Sequence, residues 1–161
     1  MADAATGQQE NQPLFNIEKL YVRDLSLEIP HGATVFLERE QPQIELQLSS
    51  QAGSIQDGVY EVTLTVTVTA KLPESAGSKV LFLIEAKQSG IFRILNVGSE
   101  LDMVLGVVCP NILYPYIREV VSDISVRAGF APVLLAPLNF DALYQQQKQQ
   151  ADTASSSPST H

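Results

Sequence analysis

One stretch narrows the folds open to this chain more than any other. From Val59 to Ala70 the residues alternate: Tyr60, Val62, Leu64, Val66 and Val68 share one parity, and Glu61, Thr63, Thr65, Thr67 and Thr69 share the other. Side chains of an extended chain point to two faces in turn. This is therefore a strand with one packed face and one polar face, the pattern of an antiparallel sheet; strands of a parallel sheet are apolar on both sides.

Three further segments read as strands. From Phe15 to Ile29, residues Ile17, Tyr21, Leu25, Leu27 and Ile29 share one parity and Asp24, Ser26 and Glu28 the other, before Pro30-His31-Gly32 ends the run. A connection carrying Val35, Phe36 and Leu37 leads to Pro42, and Ile44, Leu46 and Leu48 then alternate with Gln43, Glu45 and Gln47. Ser49 to Gly58, with two glycines and an Asp-Gly pair, reads as a turn. After a turn over Pro73 to Ser78, Lys79 to Lys87 forms a strand that Ser89-Gly90 punctuates before Ile91 to Ile94.

The period changes after Gly98. Leu101, Val104, Leu105 and Val108 fit a helical stripe, and Ile112, Tyr116, Val120 and Ile124 follow at four-residue spacing beside Leu113, Ile117 and Val121. Pro110 and Pro115 argue against one unbroken helix. The expectation is a short helix to about Val108, a main helix from about Asn111 to Arg127 ended by Gly129, a loop with two prolines, and a last helix from Phe140 to about Gln150 capped by Asn139. Strands followed by helices imply an α+β fold, a four-stranded antiparallel sheet with two helices on one side. The main helix is apolar around more of its girth than one sheet covers, which predicts an oligomer with helices between the sheets of different subunits. Residues 1–13 read as a loose arm, 14–150 as the folded domain and 151–161 as a polar tail.

Charge and motif content exclude several function classes. Ten Lys and Arg stand against 18 Asp and Glu, a formal net charge of −8. Nucleic acids and anionic membrane surfaces call for basic clusters that are missing here, whereas an acidic surface either serves solubility alone or suits a basic protein partner. A single cysteine, Cys109, allows no internal disulfide and reads as a small buried apolar residue. His31 lies in a turn and His161 ends the tail, so no zinc-like spacing exists. There is no phosphate-binding loop, no nucleophile elbow and no other catalytic constellation, so neither an enzyme nor a cofactor is indicated. No charged start followed by an apolar core opens the chain, and its apolar stretches are too interrupted to span a bilayer, which places it in the cytoplasm.

Two features stand apart from an ordinary core. In the strand Lys79 to Lys87, Val80, Phe82, Ile84 and Ala86 share one parity, expected in the core or a subunit contact. Leu81, Leu83 and Glu85 then face outward with the pair Asp24 and Glu28. They form either an acidic face around a leucine that docks a basic, partly apolar peptide, or a patch covered by a loop or another subunit. The second feature is apolar. Phe36, Ile44, Leu46 and Leu48, with Phe140, Leu143 and Tyr144, either line a groove for extended apolar chain or belong to the core.

Longer motifs carry a resemblance. Gly90-Ile-Phe92, the run Cys-Pro-Asn-Ile-Leu-Tyr-Pro-Tyr-Ile-Arg-Glu from Cys109 to Glu119, Leu-Ala-Pro-Leu-Asn-Phe-Asp-Ala-Leu-Tyr from Leu135 to Tyr144, Tyr60-Glu-Val with its threonine strand, and Tyr-x-x-Asp-x-Ser-x-Glu-x-Pro from Tyr21 to Pro30 together resemble the SecB family. The likeness covers about Phe15 to Tyr144. It implies a tetramer built as a dimer of dimers, with the main helices between two eight-stranded sheets. It implies an ATP-independent chaperone that holds unfolded precursor proteins in the cytoplasm. Its receptor would be the SecA ATPase, whose basic, zinc-containing C-terminal segment docks on the face carrying Asp24, Glu28, Leu83 and Glu85. The chain departs from some members in lacking tryptophan, with Glu40 in the loop before Pro42. A related holdase guarding an antitoxin, or a small-molecule-binding α+β protein, are the alternatives.

Overall fold

The alternating segment forms β3 (Val59–Lys71), a central strand of one antiparallel sheet. Around it lie β1 (Leu14–Glu28), β2 (Gln43–Gln56) and β4 (Val80–Leu95), in the spatial order β1-β4-β3-β2. The structure is a computed structural model that describes residues 11–155. Most of the arm read over residues 1–13, and the end of the tail read over 151–161, lie outside the described residues.

Two strands run longer than their sequence patterns suggest. Residues 49–56 continue β2 instead of turning, and only Asp57-Gly58 forms the hairpin turn, with Gly58 at φ 73°. Ser89-Gly90 does not interrupt β4. A Cβ on Gly90 would stand 2.6 Å from the Phe92 ring, so the glycine serves close packing and not a turn. In β1 the register shifts between Ile17 and Lys19 and between Val22 and Asp24, leaving Glu18 and Arg23 as bulged residues. Each bulge reverses the facing of the residues after it. Tyr21, expected beside Ile17 and Leu25, therefore lies on the opposite, polar face, opposite Ser89.

The helical part is more continuous than its prolines suggest. A 3-10 turn (Gly98–Glu100), α1 (Leu101–Met103), a π-helical stretch (Val104–Val108) and α2 (Cys109–Arg127) run on without a gap. Pro110 is the second residue of α2 and directly follows the π-helical stretch, so it lies inside a continuous helical run and not at a free helix start. The wider π turn before it joins the two α-helical stretches without breaking the run. Pro115 lies inside α2 with its ring exposed. At the far end Gly129, at φ 90°, closes α2: its N–H donates to the Val126 carbonyl and the Phe130 N–H to that of Ser125. Asn139 caps α3 (Phe140–Ser155), accepting from the Ala142 N–H at 3.1 Å, and α3 extends five residues past the expected Gln150.

The core lies between one sheet face and α2. Val62, Leu64, Val66 and Val68 of β3, with Phe82, Ile84 and Ala86 of β4, meet Cys109, Leu113, Ile117 and Val121, and all are buried. By length and composition alone the run Gly98–Arg127 is apolar enough to cross a membrane, but here its buried stripe packs on the sheet as the core helix.

Candidate functional site

The outer sheet face is built by register. Asp24 lies opposite Lys87, Ser26 opposite Glu85, and Glu28 opposite Leu83. On the other side of β4, Lys87, Glu85 and Leu83 lie opposite Thr65, Thr67 and Thr69 of β3. Directly opposed residues of a ladder share a face and neighbouring strands are about 4.8 Å apart, so Asp24, Glu28, Leu83 and Glu85 form one patch. The patch holds three carboxylates and borders Lys87, whose Nζ stands 3.8 Å from Glu85. Leu83 is half-buried among them. Leu81 does not join this patch. The register shifts between Ala70/Phe82 and Lys71/Val80, Leu81 is the bulged residue, and it is buried against the hydrophobic core.

Farther along the same face is a polar network that the sequence pattern hid. The Tyr21 hydroxyl donates to Glu61, Arg23 reaches the same carboxylate at 3.4 Å, and the Thr63 and Ser89 hydroxyls meet at 2.7 Å. The hydrogen bond to Glu61, then burial, raises the Tyr21 pKa above that of a free tyrosine. Only the bulges make this juxtaposition, and no spacing rule reveals them from the sequence.

The apolar candidates lie beyond the helix-side face of β2 and form two hollows. The first takes in Phe36, Ile44 and Leu46, with Phe82, Phe130 and Leu134. Phe130 ties it to the core, with ring centroids 5.2 Å from Phe36 and 4.4 Å from Phe82. The second, of about 280 Å³, is lined by Leu46, Leu48, Phe140, Leu143 and Tyr144, with Tyr114 and Leu138. Leu46 belongs to both, so the seven residues form a two-part surface and not one simple groove; Phe36 and the α3 residues are at opposite ends. Phe36 is 51% exposed and Leu46 50%, which distinguishes them from core, whereas Phe140 is buried.

Both hollows share a wall that sequence reasoning passed over as a loop, residues 130–138. The segment has no regular secondary structure and is held to α2 at two points: the Val133 N–H donates to Ser125 Oγ at 2.9 Å, and the Tyr114 hydroxyl donates to the Ala136 carbonyl. Its composition, Phe-Ala-Pro-Val-Leu-Leu-Ala-Pro-Leu, was the available signal. Such an apolar stretch between two prolines is unusual for a solvated loop. Phe82, Ile84 and Ala86 all lie in the core of the chain itself, beneath α2.

Cys109 is wholly buried and desolvation pushes its pKa up to about 12, so it holds no reactive thiolate. Among the described residues no three His, Cys, Asp or Glu side chains are grouped to hold a metal ion.

Comparison with known proteins agrees with the motifs. The family model for preprotein translocase subunit SecB matches residues 8–151. A protein-export protein SecB of Chromobacterium violaceum is 60% identical over 144 residues, covering 89% of this chain and 93% of its own. That of Neisseria meningitidis serogroup B is 54% identical over 147 residues, covering 91% and 97%. Among solved structures, a SecB-like chaperone of Mycobacterium tuberculosis, in complex with an antitoxin peptide, superposes with a TM-score of 0.61 at 15% identity, covering 78% of this chain and 91% of that one, a likeness of fold. Family model and full-length relatives lead to one conclusion: this chain belongs to the SecB family.

Proposed function

We propose that this chain is an ATP-independent holdase that keeps precursor proteins unfolded in the cytoplasm and hands them to the SecA motor. The observation that carries the reading is the two-part apolar surface beside β2, where Phe36, Ile44 and Leu46 stand open to solvent. Burying such surface contributes roughly 25 cal/mol per Å², and an unfolded chain offers many matching segments while a folded one hides them. The export name of relatives at 54–60% identity favours this reading over an antitoxin guard or a small-molecule binder.

Assembly as a tetramer, a dimer of dimers, is part of the proposal. On the helix side of β1, Ile17, Val22 and Leu25 remain exposed, and so do Tyr116 and Val126 on α2. Sister subunits would cover both. Four subunits then link many weak client contacts into one tight hold. The acidic patch of Asp24, Glu28 and Glu85 around Leu83 is the surface for the basic, zinc-containing C-terminal segment of SecA.

The test is a titration of the purified protein with a denatured precursor and then with the SecA C-terminal peptide, with its mass measured by light scattering. Saturable binding of both to a tetramer is expected. A monomer indifferent to denatured chain overturns the reading, and client binding without SecA-peptide binding removes its export half.

A further inference from the structure

β1 changes facing at Arg23, and the acidic patch depends on that change. Tyr21 lies opposite Ser89 and Val22 opposite Gln88; Arg23 is bulged, and Asp24 then lies opposite Lys87. Without the extra residue Arg23 would stand opposite Lys87, and Asp24 would stand opposite Ala86, which is buried in the core. Glu28 would turn to the core face with Asp24, opposite the buried Phe82. The bulge thus avoids two like charges directly opposed, and it delivers Asp24 and Glu28 to the outer face.

One carboxylate, two strands away in the sheet, holds the residues on both sides of Val22. Glu61 of β3 accepts from the Tyr21 hydroxyl through Oε1 and from Arg23 Nη1 through Oε2, the latter at 3.4 Å. An exposed ion pair alone would fix little, and the tyrosine supplies a second tether to the same group. The strand between permits the reach. Tyr21 crosses β4 at Ser89, a small residue that is wholly buried, with its hydroxyl 2.7 Å from that of Thr63. Glu61 lies opposite Ile91, four residues along β4 from Lys87. That separation is about 13 Å, longer than the roughly 8 Å over which charges act at physiological salt, so Glu61 acts weakly on Asp24 through space.

We infer that Glu61 is a positioning residue of the docking patch: by holding Tyr21 and Arg23 it keeps the bulge, and the bulge keeps Asp24 and Glu28 beside Leu83 and Glu85. This rests on the docking reading above and adds to it a residue from outside the patch. The patch is then set by a contact between β1 and β3, and a change at Glu61 alters docking without altering any group that docks.

The SecA C-terminal peptide is titrated, at physiological salt, against the full-length protein and three variants: Glu61→Gln, Tyr21→Phe, and the exchange of partners, Arg23→Glu with Glu61→Arg. Amide hydrogen exchange is followed in β1. Glu61→Gln is expected to weaken the peptide about three- to tenfold and to speed exchange over residues 22–25. Tyr21→Phe, which changes no charge, should act in the same direction. The exchanged pair should recover affinity to within about twofold of the parent, together with the slow exchange. Hold on denatured precursor should be the same in all four, which shows that each is folded. Unchanged affinity in Glu61→Gln, or an exchanged pair weaker still, as when Glu61 meets the basic peptide directly, overturns the inference and leaves docking standing. A parent that does not bind the peptide overturns both.

Discussion

Asp24 lies directly opposite Lys87 across the β1–β4 ladder, and the bulge at Arg23 sets that register. Lys87 faces Asp24 across the ladder and stands 3.8 Å from Glu85, so its charge works against a basic ligand. Lys87→Glu is expected to strengthen binding of the SecA C-terminal peptide several-fold at low salt, and Glu85→Lys to weaken it about tenfold or more, both effects shrinking as salt is raised. Neither should change the mass of the assembly or its hold on denatured precursor. Ile84→Asp, which puts a charge into the core on the other face, has the opposite profile: the fold and assembly fail first. Isothermal titration at two ionic strengths and light scattering check the three variants. Loss of assembly in Glu85→Lys would contradict the face assignment.

Tyr144 of α3 packs on Gly106 in the π-helical stretch, where a Cβ would stand 2.8 Å from the ring. Gly106→Ala favours the helix by up to about 1 kcal/mol through propensity, yet forces the ring away at an overpacking cost of about 1–3 kcal/mol. The expected outcome is a displaced start of α3, faster amide exchange over residues 140–147, and weaker client binding in the hollow that Tyr144 and Leu143 line. SecA-peptide binding should be unchanged, because the acidic patch is on the other face of the sheet.

The sheet and its core were legible because period-two alternation is a direct image of a half-buried strand. Val62 to Val68 all fell on the predicted side. The features that sequence pattern missed share a cause. Tyr21 changed faces because two bulges add residues that alternation cannot register, and Leu81 left the outer face in the same way. The helix crossed Pro110 because a π turn met the proline at the start of α2, an arrangement set by packing and not by propensity. Of the site, parity within each strand put Asp24 with Glu28 and Leu83 with Glu85, while the joining of the two pairs on one face came from the family resemblance. The division of the apolar surface into two hollows came from neither, since it depends on where residues 130–138 cross.

That crossing segment is fixed by Ser125, whose hydroxyl accepts from the Val133 N–H at 2.9 Å and donates to the Ser122 carbonyl at 2.8 Å. Both Ser125 and Val133 are buried. Ser125→Ala leaves the Val133 N–H without a partner in a dry site, which costs about 1–3 kcal/mol. A lower urea midpoint with an unchanged slope is expected, together with faster exchange across residues 130–138. Ser125→Thr keeps the hydroxyl and should recover most of the exchange protection if its extra methyl is accommodated. Full protection in Ser125→Ala would show that Tyr114 alone holds the segment.

Cys109 gives a pH signature with a definite sign. Its thiol is wholly buried, and desolvation raises its pKa from 9.0 to about 12 in the folded chain. Between those values the unfolded chain loses the thiol proton while the folded chain keeps it. Fewer protons bound in the unfolded state means that stability falls as pH rises, by about 1.4 kcal/mol per pH unit for one proton. This contribution is fully present below about pH 9 and is lost through the window up to about pH 12. Tyr21 and Tyr114 have raised pKa values as well and act in the same direction at high pH, so the thiol is isolated by comparison with Cys109→Ala. Chemical denaturation from pH 8 to 10.5, in reducing buffer, should show a steeper decline for the parent than for the variant, beginning near pH 9. In the same samples iodoacetamide should label Cys109 only as fast as the chain opens. Rapid labelling of the folded protein at pH 8, or identical slopes for parent and variant, would show that the thiol is not sealed beneath α2.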